Sequence, residues 1–491
     1  MITLDERRER GRAARTETPR RAHSNWAPAS GRPSPVALLE QQDTAREPDL
    51  VPVRHGRMMA SPFAFYRGAA KIMAEDLRDT PTAGLHVQLC GDAHLSNFGV
   101  FGSPERRLVF DLNDFDETLP GPFEYDVKRM TASFLIAGRD NGFTAEDSRE
   151  AARASAAAYR TAMAEFARLK TMDVWYASLD ENTIMGAVRS AAQNKGAVAE
   201  RADASEKARL AKKEAKKPSR PDPGQAKLAE KRAQKFADKA RSRDSLQALS
   251  KLGEMADGRY RIVSQPPIVV PVRDLAPELS PEDLDHLIRE QFVAYRASLR
   301  PDMRHLLQHF EVVDFARKVV GVGSVGTRAF IVLLQGRDAS DPLFLQVKEA
   351  TASVLEDHLP RSRYRQHGQR VVQGQRLMQA TSDIYLGWTR GADVTRHFYW
   401  RQLRDMKGSL VVGEMTPTGL SLYAQICGWT LARAHARSGD PVAIAAYLGD
   451  GDGFDRSVTG FAERYADQNE RDYQEFLAAI EAGRLAAAQG L

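Results

Sequence analysis

The sequence predicts an α+β protein of two lobes, with a helical lobe at both ends of the chain and a β-rich lobe between them. Residues 127–169 are Ala-rich with apolar positions at helical spacing, which suggests two long helices. From about Phe310 to Leu403 short apolar runs alternate with turn residues, the pattern of strands. Helical spacing then returns in 422–439 and 461–488. The chain of 491 residues has room for several domain-sized units. At 42% hydrophobic and 27% charged residues it reads as a soluble globular protein, not a disordered one. A net charge of +5 is modest for this length and does not demand a nucleic-acid or membrane partner.

Taken in order, residues 1–35 are polar and rich in Arg, Pro and Ser, and read as a flexible lead-in. In RMMASPFAFYRGAAKIMAEDL (57–77) the spacing predicts a helix after Pro62. LHVQLCGD (85–92) alternates into a short strand that runs into a turn holding His94 and Asn97, and RLVFDLNDF (107–115) predicts a further strand. Residues 36–195 therefore form the first part of the helical lobe and 196–243 a basic insertion. Residues 244–309 are assigned to the remainder of the helical lobe, 310–407 to the β-rich lobe and 408–491 to the returning helices.

Residues 201–243 carry 15 Lys and Arg against 6 Asp and Glu, with almost no large apolar side chains. A solvated helical hairpin or disordered insertion is the favoured reading, with a nucleic-acid-binding arm as the alternative. Two cysteines, Cys90 and Cys427, exclude a disulfide framework and suggest a reducing compartment. The N-terminal residues show no apolar signal core, and no apolar stretch is long enough to cross a bilayer, so a cytoplasmic location is expected.

Gly91-Asp92-Ala93-His94-Leu95-Ser96-Asn97 follows directly from the apolar strand. The five-residue interval from Asp92 to Asn97 matches the Asp-to-Asn interval of a kinase catalytic loop. Phosphoryl transfer needs a carboxylate beside the attacking hydroxyl and a neutral oxygen ligand for Mg²⁺ nearby. Asp111, Asp114 and Asp116 crowd into FDLNDFDE, where a divalent cation would offset their repulsion; the alternative is an acidic surface turn.

GDAHLSN is similar to the GDxHxxN loop of aminoglycoside and choline kinase-like phosphotransferases, and NDFDETLPGPFEYD resembles their IDFxD…GxxxYD segment. The resemblance implies that Asp92 is the base, that Asn97 and Asp114 bind Mg²⁺ with Asp116 assisting, and that Asp126 braces the loop. The position two before Asp92, usually His in those enzymes, is Cys90. The chain as a whole also resembles a bacterial family of uncharacterised proteins that shares SPFAFYRG (61–68), CGDAHLSNFG (90–99), FDLNDFDETLPGPFEYD (110–126) and GWTLARAHARSGD (428–440).

A nucleotide-gripping element does not precede Asp92 but follows far downstream. Gly321, Gly323 and Gly326 form GxGxxG with Ser324 inside it, flanked by strand-like runs, and Lys348 lies on the next apolar run, LFLQVK. Glycines let backbone amides approach phosphates closely, and a strand lysine can hold the α- and β-phosphates. The alternative is a plain hairpin with a surface lysine. Glu356 is the preferred charge partner for Lys348, with Gln373 as a second candidate. HFYWRQLRDMK (397–407) reads as a last strand and a hinge whose backbone could meet adenine, and 428–440 resembles the helix that ordinarily leads into the catalytic loop. This order implies a circularly permuted protein-kinase-like fold.

His94 is read as loop support in preference to a metal ligand, and His435 and Asp440 as braces from the returning helix. Tyr66 and Arg67 either touch substrate or pack under the loop, and Trp400 belongs to the core. The expected activity is ATP- and Mg²⁺-dependent transfer of a phosphoryl group to a small-molecule hydroxyl. A catalytically silent nucleotide-binding regulator is the main alternative, followed by a nucleic-acid-associated protein and a metal-dependent hydrolase.

Overall fold

In the computed structural model, the residues described are 2–186, 231, 234–243, 245–256, 259–275, 278, 280–403 and 405–488. Strand propensity near the start of the chain produces short pairings, not a large sheet. β1 (His86–Leu89) pairs with β4 (Leu119–Pro122), while β2 (Phe98–Gly102), β3 (Leu108–Leu112) and β5 (Leu179–Asp180) form a second small sheet. This wiring sets the 90–97 turn, which leaves β1, beside the 113–118 turn, which leaves β3 and returns into β4. Gly91 sits at φ +84°, and a Cβ there would lie 2.3 Å from the Glu117 carbonyl, so only glycine lets the two turns touch.

The helix Phe123–Asp140 runs through the middle of this lobe and is buried along nearly its whole length. Ala145–Phe166, Pro417–Ser438 and Gly453–Glu481 pack around it, and Ala145–Phe166 also packs against the other two. Small residues set the spacing: a Cβ on Gly428 would lie 2.3 Å from the Ser155 carbonyl of the neighbouring helix. The central helix also carries two buried charges, Glu124 and Lys128. Glu124 accepts from the Ala83 amide with one oxygen, while its other oxygen is buried without a partner. Burial pushes its carboxyl up and the Lys128 ammonium down, so both are biased toward their neutral forms.

The β-rich lobe is one six-stranded antiparallel sheet. Its strands are β8 (Val269–Pro271), β9 (Glu311–Lys318), β10 (Ala329–Gln335), β11 (Pro342–Ala350), β12 (Gly387–Arg390) and β13 (His397–Gln402), in the order β12-β13-β11-β10-β9-β8. A separate hairpin joins β6 (Gly253–Ala256) to β7 (Arg259–Ile262). The helix His367–Met378 crosses between β11 and β12 and packs against both β13 and the helix Pro417–Ser438, which ties the two lobes together.

Two expectations from sequence are corrected. Residues 244–309 belong to the β-rich lobe, not to the helical one. Leu249 and Leu252 bury against Ile331, Leu333 and Phe344 of the sheet, and Tyr295 stacks on Trp400 with ring centroids 4.4 Å apart. Trp400 is core, as expected. Residues 1–35 are not a loose lead-in either. Leu4–Glu17 is a helix with a Thr3–Glu6 capping box, and Trp26 is buried against Phe461 and Tyr465. Gly11 makes the docking possible, because a Cβ there would lie 2.1 Å from the Ala443 carbonyl. Polar composition hid this contact, which uses a glycine and an alanine, not large apolar side chains. Of the basic insertion, 196–230, 232 and 233 lie outside the described residues. Among the described residues no helix is long and apolar enough to cross a membrane.

Gly11→Val should lower stability by about 1–3 kcal/mol and speed tryptic cleavage within the first helix, checked by urea unfolding and limited proteolysis. The Glu124–Lys128 pair carries a pH signature. With Glu124 raised above its unfolded 4.5, the folded state holds the proton longer, so stability falls as pH climbs from 4.5 toward the raised value. With Lys128 lowered from 10.5, the unfolded state holds more protons on the alkaline side, and stability recovers as pH approaches 10.5. Urea melts across pH should therefore dip between these limits for the wild type and run flatter for Glu124→Gln/Lys128→Met.

Candidate functional site

Two turns of the helical lobe present the carboxylates. Asp126, in the first turn of the central helix, accepts from the backbone amides of Cys90 (2.7 Å) and Gly91 (3.0 Å), which fixes the approach to Asp92. His435 Nε2 lies 3.2 Å from Asp126, and Tyr159 meets the other ring nitrogen at 2.9 Å. Asp126 thus ties the helix to the loop, and His435 reaches it from the returning helix. One helical turn on from Asp126, Arg129 reaches Asp92, with Nε at 2.8 Å and Nη2 at 2.7 Å from Oδ1. Tyr66 lies beneath: its ring faces the Arg129 guanidinium at 3.9 Å and its hydroxyl donates to the Arg129 carbonyl. Burial raises the Asp92 carboxyl despite Arg129 and Arg67.

His94 is buried with Nε2 at 3.7 Å from Asp92. Burial, with Arg129 and Arg67 close by, pushes its pKa well below the ordinary value and keeps the imidazole neutral. Its Nδ1 has no hydrogen-bond partner, nor does the buried Nε of Arg67. Asn97 donates from Nδ2 to the Asp92 carbonyl (2.7 Å), which leaves the amide oxygen for another ligand.

The β-rich lobe closes the other wall. Lys348 on β11 is only 2% exposed, and its Nζ lies 2.5 Å from Asp116 Oδ2 and 3.8 Å from Asp114 Oδ1. Tyr399, opposite Lys348 on β13, donates its hydroxyl to Asp116 Oδ1 at 2.7 Å. From the glycine turn, Ser324 Oγ approaches Asp116 Oδ2 to 3.4 Å. Burial pushes both carboxyls up. At Asp116 the Lys348 and Tyr399 contacts outweigh it and lower the pKa; at Asp114, beside the Asp116 charge, the shift stays upward. Burial alone would lower the Lys348 ammonium, but Asp114 and Asp116 reverse the sign. At Lys407 the compensation is weaker: burial, Arg401 and Lys348 outweigh Asp114 and bring it down to about 7.

The glycine turn is seated on the helical lobe. Gly321 (φ +70°) accepts from Arg57, Gly326 (φ +87°) accepts from the Glu47 amide, and a Cβ on Gly323 would meet the Arg67 carbonyl at 3.0 Å. Lys348 and the 321–326 turn therefore share one cleft with Asp114 and Asp116, although more than 200 residues separate Ser324 from Asp116.

Other candidates lie elsewhere. Glu356 is not the partner of Lys348, because Asp116 takes the ammonium; it sits in a short helical turn, Val354–Asp357, near His367 and Arg370. Gln373 lines a different cavity. Asp111 leaves the acidic trio: β3 turns it inward to Arg433 and the Ala380 amide. Asp440 caps the helix Pro441–Leu448 through the Val442 and Ala443 amides. The hinge backbone is taken by the chain itself, since Met406 donates to the Arg243 carbonyl and Gly408 exchanges both bonds with Val100.

Sequence reasoning missed Arg129, Tyr399, Arg401 and Arg370. Arg370 donates to the carbonyls of Asp116, Thr118 and Thr351 and pins the carboxylate turn to the β-rich lobe. A signal existed for Arg129: three residues beyond Asp126 on the same helix, it shares that face.

A family model described as an uncharacterized protein conserved in bacteria, DUF2252, matches residues 46–227 and 219–479. The chain belongs to this family. The DUF2252 match covers both walls of the cleft, from Tyr66 to His435, and starts after the N-terminal helix. No curated protein and no solved structure matches the chain.

Asp126→Ala would orphan two buried amides and His435, at about 1–3 kcal/mol for each group left unpaired. A loss of at least about 3 kcal/mol in urea unfolding is expected, with Asp126→Asn, which keeps one acceptor oxygen, losing less.

Proposed function

We propose that this chain is an ATP- and Mg²⁺-dependent phosphotransferase acting on a hydroxyl, most simply that of a small molecule, on a circularly permuted kinase-like fold. The observation that carries the reading is the meeting of Lys348 and Ser324 with Asp114 and Asp116 in one cleft. The sheet supports it. Within the spatial order β9-β10-β11-β13-β12 the glycine turn joins β9 to β10, the lysine lies on β11 and a helix enters between β11 and β12, the arrangement of a kinase small lobe.

The residues fit the chemistry. Asp92 takes the hydroxyl proton as the oxygen forms its bond to the γ-phosphorus and the bond to the ADP oxygen breaks. Neutral His94 and clamped Arg129 keep that carboxylate oriented. Asn97, through its free amide oxygen, and Asp114, the carboxylate less tied to Lys348, are the residues that would hold Mg²⁺; the metal would offset phosphate charge there. Asp116 positions Lys348, and Lys348, Arg401, Lys407 and the 321–326 amides face the phosphates.

A nucleotide-binding regulator without transfer is the second reading, and one contact favours it: Arg129 occupies Asp92 Oδ1 with two nitrogens, which leaves a single carboxylate oxygen open to a hydroxyl. Turnover separates the two. ATP-dependent phosphorylation of a metabolite extract should be seen for wild type, fall by about 10²–10⁴ in Asp92→Ala and vanish in Asp114→Ala. Mg²⁺-dependent nucleotide binding with no γ-phosphate loss in any extract would leave the regulator standing.

A further inference from the structure

On the far side of the helix His367–Met378 from its sheet strands, a cavity of about 620 Å³ opens toward β1, β4 and the 360–364 loop. That volume suits a small metabolite. Its wall contains four arginines, Arg361, Arg363, Arg370 and Arg376, together with Gln373 and Ser438. Among the described residues that line it there is no Asp or Glu, and none of the four arginines makes an ion pair with a described carboxylate. What they hold instead is neutral. Arg376 donates to the Leu386 carbonyl (2.6 Å), Arg363 to the Tyr364 hydroxyl (2.7 Å), and Arg370 to three backbone carbonyls. Elsewhere in the protein buried arginines are matched with acids, as Arg32 is with both Asp76 and Asp472.

Arg370 is 2% exposed with a buried Nε that has no partner, and burial lowers its guanidinium although Glu117, Glu356 and Asp116 lie near enough to favour the charge; Arg361, Arg363 and Arg376 add to the positive wall. A wall of this kind is stabilised by a bound anion. We propose that this cavity is a second ligand site, separate from the carboxylate cleft, that binds a phosphate-bearing small molecule. A phosphate dianion matches several arginine forks at once, and Ser438 and Gln373 add neutral donors for the rest of the ligand. Arg370 places the occupant one side chain away from the Asp116–Thr118 backbone. The site does not depend on the phosphotransferase reading, because its occupancy is measured without nucleotide.

Isothermal titration of the full chain with inorganic phosphate, glycerol 3-phosphate, succinate and glycerol tests it. The exposed pair Arg361→Ala/Arg363→Ala removes charge without touching the core, and Lys348→Met reports on the other cleft. Saturable binding of a phosphate probe is expected, weakened at least about tenfold in the double variant and unchanged in Lys348→Met. Three results would overturn the site: no heat with either phosphate probe up to about 10 mM, equal affinity in the double variant, or loss of binding in Lys348→Met. Succinate or glycerol binding as tightly as the phosphate probes would overturn the ligand class.

Discussion

The ammonium of Lys348 lies at 2% exposure on the third strand of a sheet, and the carboxylates that neutralise it come from a turn 232 residues earlier. A buried, unpaired ammonium is costly, by several kcal/mol even after relaxation. That cost is offset only when the two lobes meet in one register. Tyr399 and Ser324 then complete the shell of Asp116, and Arg370 holds the backbone of the same turn from the inter-lobe helix. The closure of the cleft and the different ties of Asp114 and Asp116 centre on this one ion pair, while Arg57 and Glu47 seat the glycine turn.

Within the cleft, neighbouring acids titrate in opposite directions. Asp116 is lowered by Lys348, whereas Asp114 is raised by burial and by Asp116 itself. Glu117 is pushed up to about 7 by burial, even though its Oε2 accepts from the Val354 amide. The cations divide in the same way: Lys348 is committed, while Lys407 is held near 7. Under the proposed function, these opposed charges are what a ligand bringing both signs, such as a metal-bound polyphosphate, would meet. The same opposition separates roles among carboxylates that look equivalent in sequence.

The helical lobe supports this chemistry from below through a chain of buried polar groups. Tyr159, His435 and Asp126 lead to the amides of Cys90 and Gly91, while Tyr66 and Arg129 lead to Asp92. Each link is satisfied by the next, which is the condition under which buried polarity orders a site instead of weakening it. Residues 61–68 therefore act as packing beneath the loop through Tyr66, while Arg67 leaves an unpartnered Nε beside Asp92.

Local patterns were readable from the sequence alone because they depend on neighbours along the chain. Strand alternation located β1, β3 and the 310–403 strands, helical spacing located the long helices, and glycine marked Gly91, Gly321 and Gly326, three positions of positive φ. The turns carrying Asp92, Asn97 and Asp114 follow β1 and β3, where the strand patterns end. Pairing across the lobes was not readable. Asp116 rather than Glu356 meets Lys348, Asp111 faces Arg433, and residues 244–309 cover the sheet, because each is settled by which buried charge or apolar face finds its complement first in space. The docked N-terminal helix shows the same limit: its polar composition is a property of the segment, but the fit of Gly11 against Ala443 exists only once both helices are in place.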